Sequence, residues 1–320
     1  MVRILVSVII VNYNGKEFLK IAIDSLKKSI FKNFEAIVLD NASSDGSQNF
    51  IKKNYPEIKL VENNANFGYS GINHAIKYCN GKYILFLNND IKLEKNCIGN
   101  LVKIIESDNL IGMAAPKIVN YYNKKLLSGG TWLSKSFYNG HIKGDNASKS
   151  MIIPYLGVGL IRKTIVDKYG YLFDPDYFIY GEDVDLGLRI RLLAKKTIFV
   201  HDALLYHMHA KTTNKSGKAS TTYLMERNLL TTFFKILSAK NIIFLLPYVL
   251  FVRFMAIIRD LLLLKINIAI SRLNAMLFIL TNFNSILKKR QETQKFRTVN
   301  DDYLFEVFSE KYLFKPKFLV

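Results

Sequence analysis

Apolar runs alternate with amphipathic stretches through the first ninety residues. Residues 4–11 form one continuous apolar run, the pattern of a strand buried on both faces. Residues 16–29 then carry Phe18, Leu19, Ile21, Ala22 and Leu26 at helical spacing. A second apolar strand is predicted over 34–39, a helix over 47–54, a short strand over 58–62, a helix over 70–79 and another strand over 83–87. Strands that alternate with helices predict βαβ units: an α/β fold with a mostly parallel sheet covered by helices on both faces. Three strands run into polar clusters, at Asn12-Tyr13-Asn14-Gly15, at Asp40 to Ser47 and at Asn88-Asn89-Asp90. Ligands of open α/β sheets bind beyond the carboxyl ends of the strands, so three such clusters predict one composite site.

Later segments are less regular. Residues 120–150 are rich in Gly, Asn, Ser, Lys and Tyr and read as loops and short strands, with His141 as a solvated histidine. Between 184 and 192 apolar residues alternate with period two, which alone suggests a strand. The order of charges argues for a helix instead. Glu182, Asp183 and Asp185 precede Arg189, Arg191 and Lys195, as the helix macrodipole favours, and Asp185 with Arg189 makes an i,i+4 pair. Residues 241–287 are apolar and helical in pattern. Lys240 and Arg253 bound a charge-free stretch, Asn241–Val252, which contains Pro247 and falls short of the roughly 20 residues of a membrane span. An amphipathic helix lying on a membrane surface is expected there, with a buried layer or a subunit interface as the alternatives.

Charge narrows the partners. The 320 residues include 45 Lys and Arg against 26 Asp and Glu, a net charge of +19. Residues 221–320 hold 15 basic and 7 acidic residues, so both parts of the chain are basic and neither carries a polybasic arm. Such a balance suits phosphate-bearing substrates, anionic lipid or nucleic acid. No recognition helix, zinc site or aromatic platform supports nucleic acid. Cys79 and Cys97 cannot build a disulfide framework or a zinc site and read as reduced thiols of a cytosolic compartment. The apolar start lacks a small-residue cleavage site and reads as a strand rather than a signal peptide. Neither Gly-x-Gly-x-x-Gly nor Gly-x-x-x-x-Gly-Lys-Ser/Thr occurs, so a bound diphosphate needs another counter-charge, for which a metal at Asp90 is the candidate.

Several segments, in order, resemble family 2 glycosyltransferases. Val6 to Asn14 is similar to that family's opening strand, and Val38 to Ser47 to its nucleotide motif. Asn66 to Asn73 resembles the segment before the metal motif, and Leu87 to Asp90 stands where the family has Asp-x-Asp. Gly181 to Arg189 resembles the motif of the catalytic base. His207, then Ala219-Ser220 and Arg227-Asn228, fit a later histidine and a downstream Arg-Asn. The match runs from about residue 5 to 230. With the Asn-Asn-Asp form and the tail from Lys288 to Arg297, it is closest to rhamnosyltransferase-type enzymes of cell-surface polysaccharide synthesis.

The resemblance implies a GT-A fold over 1–230 and inversion at the anomeric carbon; the helical pattern adds a membrane-surface-associated region over 231–320. The resemblance assigns Asp183 as general base. It assigns Asn12, Tyr13, Asp40, Asn66, Gly68, Asn73, Asn89 and Glu182 to the nucleotide-sugar, and Asp90 with His207 to a divalent cation, Mg²⁺ or Mn²⁺. Ile72 stands where many relatives have Arg, Asn88 replaces the first Asp of the metal motif, His209 competes with His207, and Asp45 reads as a turn cap. The expected donor is a UDP- or dTDP-sugar and the expected acceptor a saccharide, soluble or lipid-linked. The enzyme would work in the cytoplasm, peripheral on the membrane, with homo-oligomers left open. The alternative is a non-catalytic, membrane-peripheral binding protein on a degenerate transferase fold.

Overall fold

The computed structural model describes residues 4–128, 130–142, 150–151, 157–208 and 217–308. Its centre is a sheet whose first half is parallel. β1 (Val6–Asn12) lies between β2 (Phe34–Asp40) and β4 (Tyr83–Asn88), and β3 (Lys59–Glu62) extends the sheet beyond β2. β11 (Gly159–Arg162) then runs antiparallel between β4 and β6 (Ile111–Asn120). β12 (Lys196–His207) continues beside β6 in parallel, so the expectation of a mostly parallel sheet holds. Short strands trim the far side: β5 (Ile91–Leu93) and β10 (Ser150–Met151) on β12, and β7 (Leu126–Ser128) on β6. A separate hairpin joins β8 (Thr131–Leu133) to β9 (Asn139–His141).

Two apolar layers cover the sheet. On one face, Val8, Ile10, Val38 and Leu85 pack against Leu19, Ile23 and Leu26 of α1 (Lys16–Lys27) and Leu101 of α4 (Cys97–Ser107). On the other, Ile9, Ile37, Ile84 and Phe86 pack against Ile72, Ile165 of α5 (Lys163–Tyr169), and Leu186 and Ile190 of α6 (Glu182–Leu192). Strands buried on both faces have no polar side to alternate with, hence runs that are apolar but for Ser7 in β1 and Glu35 in β2. α2 (Ser47–Asn54) crosses from β2 to β3. The helix predicted over 70–79 is instead a 3-10 turn, Gly68–Ile72, followed by α3 (Asn73–Ile76). The chain must turn back by Gly81, whose N–H donates to Ser7 Oγ (2.9 Å) beside β1, and that leaves one helical turn.

α6 explains the misleading period-two pattern. Val184, Leu188 and Leu192 face a third apolar cluster, while Leu186 and Ile190 face the sheet. Residues two apart on a helix lie on opposite sides, so a helix buried between two layers shows alternation. The third cluster includes the β8–β9 hairpin and the carboxyl-terminal helices α7 (Lys218–Ile236), α8 (Ala239–Leu262), α9 (Ile266–Thr281), α10 (Phe283–Gln294) and α11 (Asp301–Phe305). α7 runs without a break through residue 230, where the sequence suggested the regions divide. α8 is longer than the charge-free stretch implied, because Arg253 turns inward rather than ending it.

Candidate active site

The three polar strand ends meet. Asn12 closes β1 fully buried; its Nδ2 donates to Asp40 Oδ2 (2.7 Å) at the end of β2. Asn89, just past β4, donates through Nδ2 to Asn12 Oδ1 (2.7 Å). One amide thus ties the ends of β1, β2 and β4 together, as the clustering of polar residues predicted. Gly15 makes room for it: a Cβ there would lie 1.9 Å from Asn89 Nδ2. Tyr13, beside Asn12, is exposed.

Asp40 has no exposed surface and accepts four hydrogen bonds: Asn12 Nδ2, Ser43 N (2.8 Å), Ser43 Oγ (2.7 Å) and Gln48 Nε2 (2.7 Å). A carboxylate offers about four lone-pair sites, so Asp40 is saturated by its own loop together with Asn12. Ser43 falls in the polar cluster after β2, whereas Gln48 lies one residue past it and carries no signal of its own in the sequence. Asp45 is a cap: Oδ2 accepts Lys16 N (2.9 Å) at the first turn of α1 and Oδ1 accepts Ser47 N (3.0 Å) at that of α2.

The segment from Asn66 to Asn73 is built by its amides. Asn66 Oδ1 accepts Gly68 N (2.9 Å). Gly68 adopts φ +61°, and a Cβ there would lie 2.0 Å from the Phe178 carbonyl oxygen. Only glycine combines that backbone with that approach. Asn73 spends its amide on the chain before α6, donating to Phe173 O (2.7 Å) and accepting Leu172 N (2.9 Å). Ile72 is wholly buried.

Asp90 and His207 face each other, with Oδ1 and Nε2 3.3 Å apart and both side chains buried. β12 brings His207 there, because its end pairs with β5, immediately after Asp90. Met208 N also donates to Asp90 O (2.9 Å). A carboxylate beside an imidazole suits Mn²⁺ or Mg²⁺. Among the described residues no three His, Cys, Asp or Glu side chains converge on one point, so a cation held here would complete its shell with substrate oxygens and water. His209 lies outside the described residues; His201 and His141 are exposed.

Glu182 and Asp183 open α6, where the macrodipole favours negative charge. Glu182 is buried and its Oε2 has no hydrogen-bond partner. Burial, then the neighbouring Asp183 carboxylate, raises its pKa to about 8. Burial likewise raises Asp183 to about 6, although Val184 N donates to its Oδ1 (2.8 Å). The turn before α6 is held from α7: Asn228 Nδ2 donates to Tyr180 O (2.7 Å) and Ile179 O (3.2 Å), and Arg227 to Asp176 O (2.8 Å). The Arg227-Asn228 pair noted in the sequence is therefore a clamp on the acidic turn.

Tyr69 is the residue the sequence reading passed over. Its pKa is raised by burial, then by the Glu182 and Asp90 carboxylates, and also by Asp183, while its hydroxyl shares a hydrogen bond with Asn88. Groups of the metal motif and of the acidic turn therefore both act on one phenol. Its ring packs edge-on against Phe173, 6.0 Å between centroids.

The mixed sheet flanked by helices is the GT-A fold of glycosyltransferases, an enzyme class. The sequence profile described as Glycosyl transferase family 2 matches residues 7–170. The chain belongs to that family.

An Escherichia coli protein, UDP-Glc:alpha-D-GlcNAc-diphosphoundecaprenol beta-1,3-glucosyltransferase WfaP, is 30% identical over 58% of this chain and 73% of its own. WfgD of the same organism and description is 34% identical over 55% and 68%. Among solved structures, the mannosyltransferase PcManGT of Pyrobaculum calidifontis, in complex with GDP-Man and Mn²⁺, shares the fold with TM-score 0.55. It is 16% identical, and the match covers 94% of this chain and 85% of that one. S. aureus TarS 1-349 in complex with UDP also gives 0.55 at 16% identity, covering 72% and 66%.

Proposed function

We propose that this enzyme transfers a hexose or deoxyhexose from a UDP- or dTDP-linked donor to a saccharide acceptor carried on a lipid. It would do so with inversion, at the cytoplasmic face of the membrane. The observation that carries this reading is the buried Asp90–His207 pair, 3.3 Å apart just past the strand ends, with the Glu182 and Asp183 carboxylates near enough to act, as Asp90 does, on the Tyr69 phenol. It supports a diphosphate site with a carboxylate base nearby. The E. coli relatives support the lipid-linked acceptor, since their names specify UDP-glucose and a diphosphoundecaprenol-linked sugar.

In this reading Asp183 takes the proton of the acceptor hydroxyl as that oxygen bonds to the anomeric carbon. The bond from that carbon to the donor's phosphate oxygen breaks on the opposite side, and the electron pair leaves with the nucleoside diphosphate. A base with a pKa near 6 is ionised at neutral pH yet basic enough to accept the proton. Glu182, protonated at that pH, can donate a hydrogen bond to a sugar hydroxyl. Asn12, Asp40 and Asn89 shape the nucleotide cradle, with Tyr13 on its open side. Asn66, Gly68 and Asn73 hold the segment that carries Tyr69.

A divalent cation at Asp90 and His207 would neutralise the charge of the departing diphosphate. The direct test is Asp183→Asn, which should bind donor normally and fail to transfer. Near-normal transfer by that variant would overturn the assignment. The non-catalytic alternative is set aside by membership in an enzyme family.

A further inference from the structure

Seventeen of the 23 exposed large apolar side chains among the described residues lie between Ile243 and Leu287. On α9 they fall at Ile266, Ile270, Leu273, Leu277 and Leu280, one stripe at helical spacing. On α8 they include Phe244, Phe251 and Phe254, and the connection to α9 adds Leu261 to Leu264, with Leu262 79% and Leu264 85% exposed. The opposite faces carry the charges. Arg253 is buried, its Nε 3.0 Å from Glu226, with Nη1 donating to Ser136 O (2.8 Å) in the β8–β9 hairpin. Arg272 pairs with Glu226 and, at 2.8 Å, with Asp260. The two helices therefore point charge at the protein and hydrocarbon at the solvent.

We infer that the outer face of α8 and α9 seats the enzyme on an anionic lipid bilayer, entering it from one side without spanning it. Charge decides the occupant. Asp260 is the one carboxylate in the sequence between Lys240 and Lys288, and it is buried against Arg259 and Arg272. From residue 240 to 288, Lys240, Lys265 and Lys288 are thus exposed and no acid is. Anionic headgroups complement these lysines, whereas a second copy of this chain would bring like charges together. α8 does meet the length and apolarity of a membrane span. Lipid on all sides of it would strip Arg253 and Asp260 of Glu226 and Arg272, an arrangement that a seat on one face preserves.

The inference rests on the proposed lipid-linked acceptor for its purpose and not for its geometry, and its test needs no turnover. The full chain is mixed with vesicles of phosphatidylcholine, alone or with phosphatidylglycerol, and floated on a density gradient. Flotation should be strong with phosphatidylglycerol and several-fold weaker without it, and alkaline carbonate should release the protein. Phe251→Glu with Leu262→Glu should lower flotation at least tenfold at an unchanged melting temperature, because both side chains are exposed. Lys265→Glu with Lys288→Glu should remove the preference for phosphatidylglycerol.

Four results would overturn the inference: no flotation of the native chain, unchanged flotation of the Phe251→Glu, Leu262→Glu variant, retention through carbonate, or a stable dimer that this variant dissociates. Flotation without sugar transfer would leave the seat standing and sink the transferase reading. Transfer without flotation would do the reverse.

Discussion

The ammonium of Lys235 lies 2.6 Å from Asp174 and 2.5 Å from Asp185, and none of the three side chains has any exposed surface. Asp185 stands two residues after Asp183 and also holds Arg189 at 2.7 Å. One lysine of α7 therefore pins the first turn of α6, the turn that carries the proposed base. Removing one partner of a buried pair typically costs about 3–5 kcal/mol; here Arg189 still faces Asp185 and Lys289 still faces Asp174, which holds the cost to the lower end. Lys235→Met should destabilise the fold by that order, read as a lowered denaturant midpoint. A change below about 1 kcal/mol would mean that the cluster does not brace α6.

Asp183→Asn should lower transfer by roughly 10²–10⁴-fold, the usual contribution of general base catalysis. Titration with the nucleoside diphosphate should show unchanged affinity. A parallel loss of affinity would place Asp183 in donor binding instead.

The acidic pair makes rate and stability depend on pH in opposite directions. Transfer needs ionised Asp183, so kcat/KM should rise with pH through a midpoint near 6. Both carboxyls have folded pKa values above their unfolded ones, so each stabilises the fold most while protonated. That contribution is complete below about pH 4 and is lost as pH rises through about 6 for Asp183 and about 8 for Glu182. Glu182→Gln should abolish the alkaline part of the decline, read as melting temperature between pH 5 and 9. An unchanged profile would contradict the buried, unpartnered state of Glu182.

Gly15→Ala tests the cradle. Its Cβ would meet Asn89 Nδ2 at 1.9 Å and Asn12 Oδ1 at 2.9 Å, displacing the amide that ties three strand ends. Nucleotide affinity should fall about tenfold, the equivalent of about 1.4 kcal/mol. Affinity equal to the native protein's would detach Asn12 and Asn89 from the nucleotide site.

His207→Ala should raise the concentration of Mn²⁺ or Mg²⁺ needed for half-maximal transfer, while Asp90→Ala should abolish the metal response. Metal titrations of both variants that match the native enzyme's would exclude the pair as ligands.

The strand ends were legible because a buried parallel strand is a plain apolar run, and whatever polar residue ends it must face the site. Asp45 and the Asp185–Arg189 pair were legible because capping and i,i+4 pairing act over short sequence distances. The saturation of Asp40 was not, since it depends on how its loop folds back to bring in Gln48. Tyr69 was hidden as one aromatic among many; its signal was the glycines at 68 and 71, which let a side chain enter a crowded place. The bond from Lys235 to Asp185 spans fifty residues and follows no periodicity. Arg253 and Asp260 misled in the other direction. Charges inside an apolar helix read as its limits until Glu226 and Arg272, elsewhere in the chain, show that they face inward.

The central claim is sugar transfer from a nucleotide donor, and the most direct measurement is a donor screen. The full chain would be incubated with UDP-, dTDP- and GDP-sugars, with Mg²⁺, Mn²⁺ or chelator and membrane lipid extract as the acceptor source. Release of nucleoside diphosphate would be the readout. The account predicts metal-dependent release from a UDP- or dTDP-sugar that Asp183→Asn eliminates. Release that persists in Asp183→Asn, or that occurs only from GDP-sugars, would contradict it.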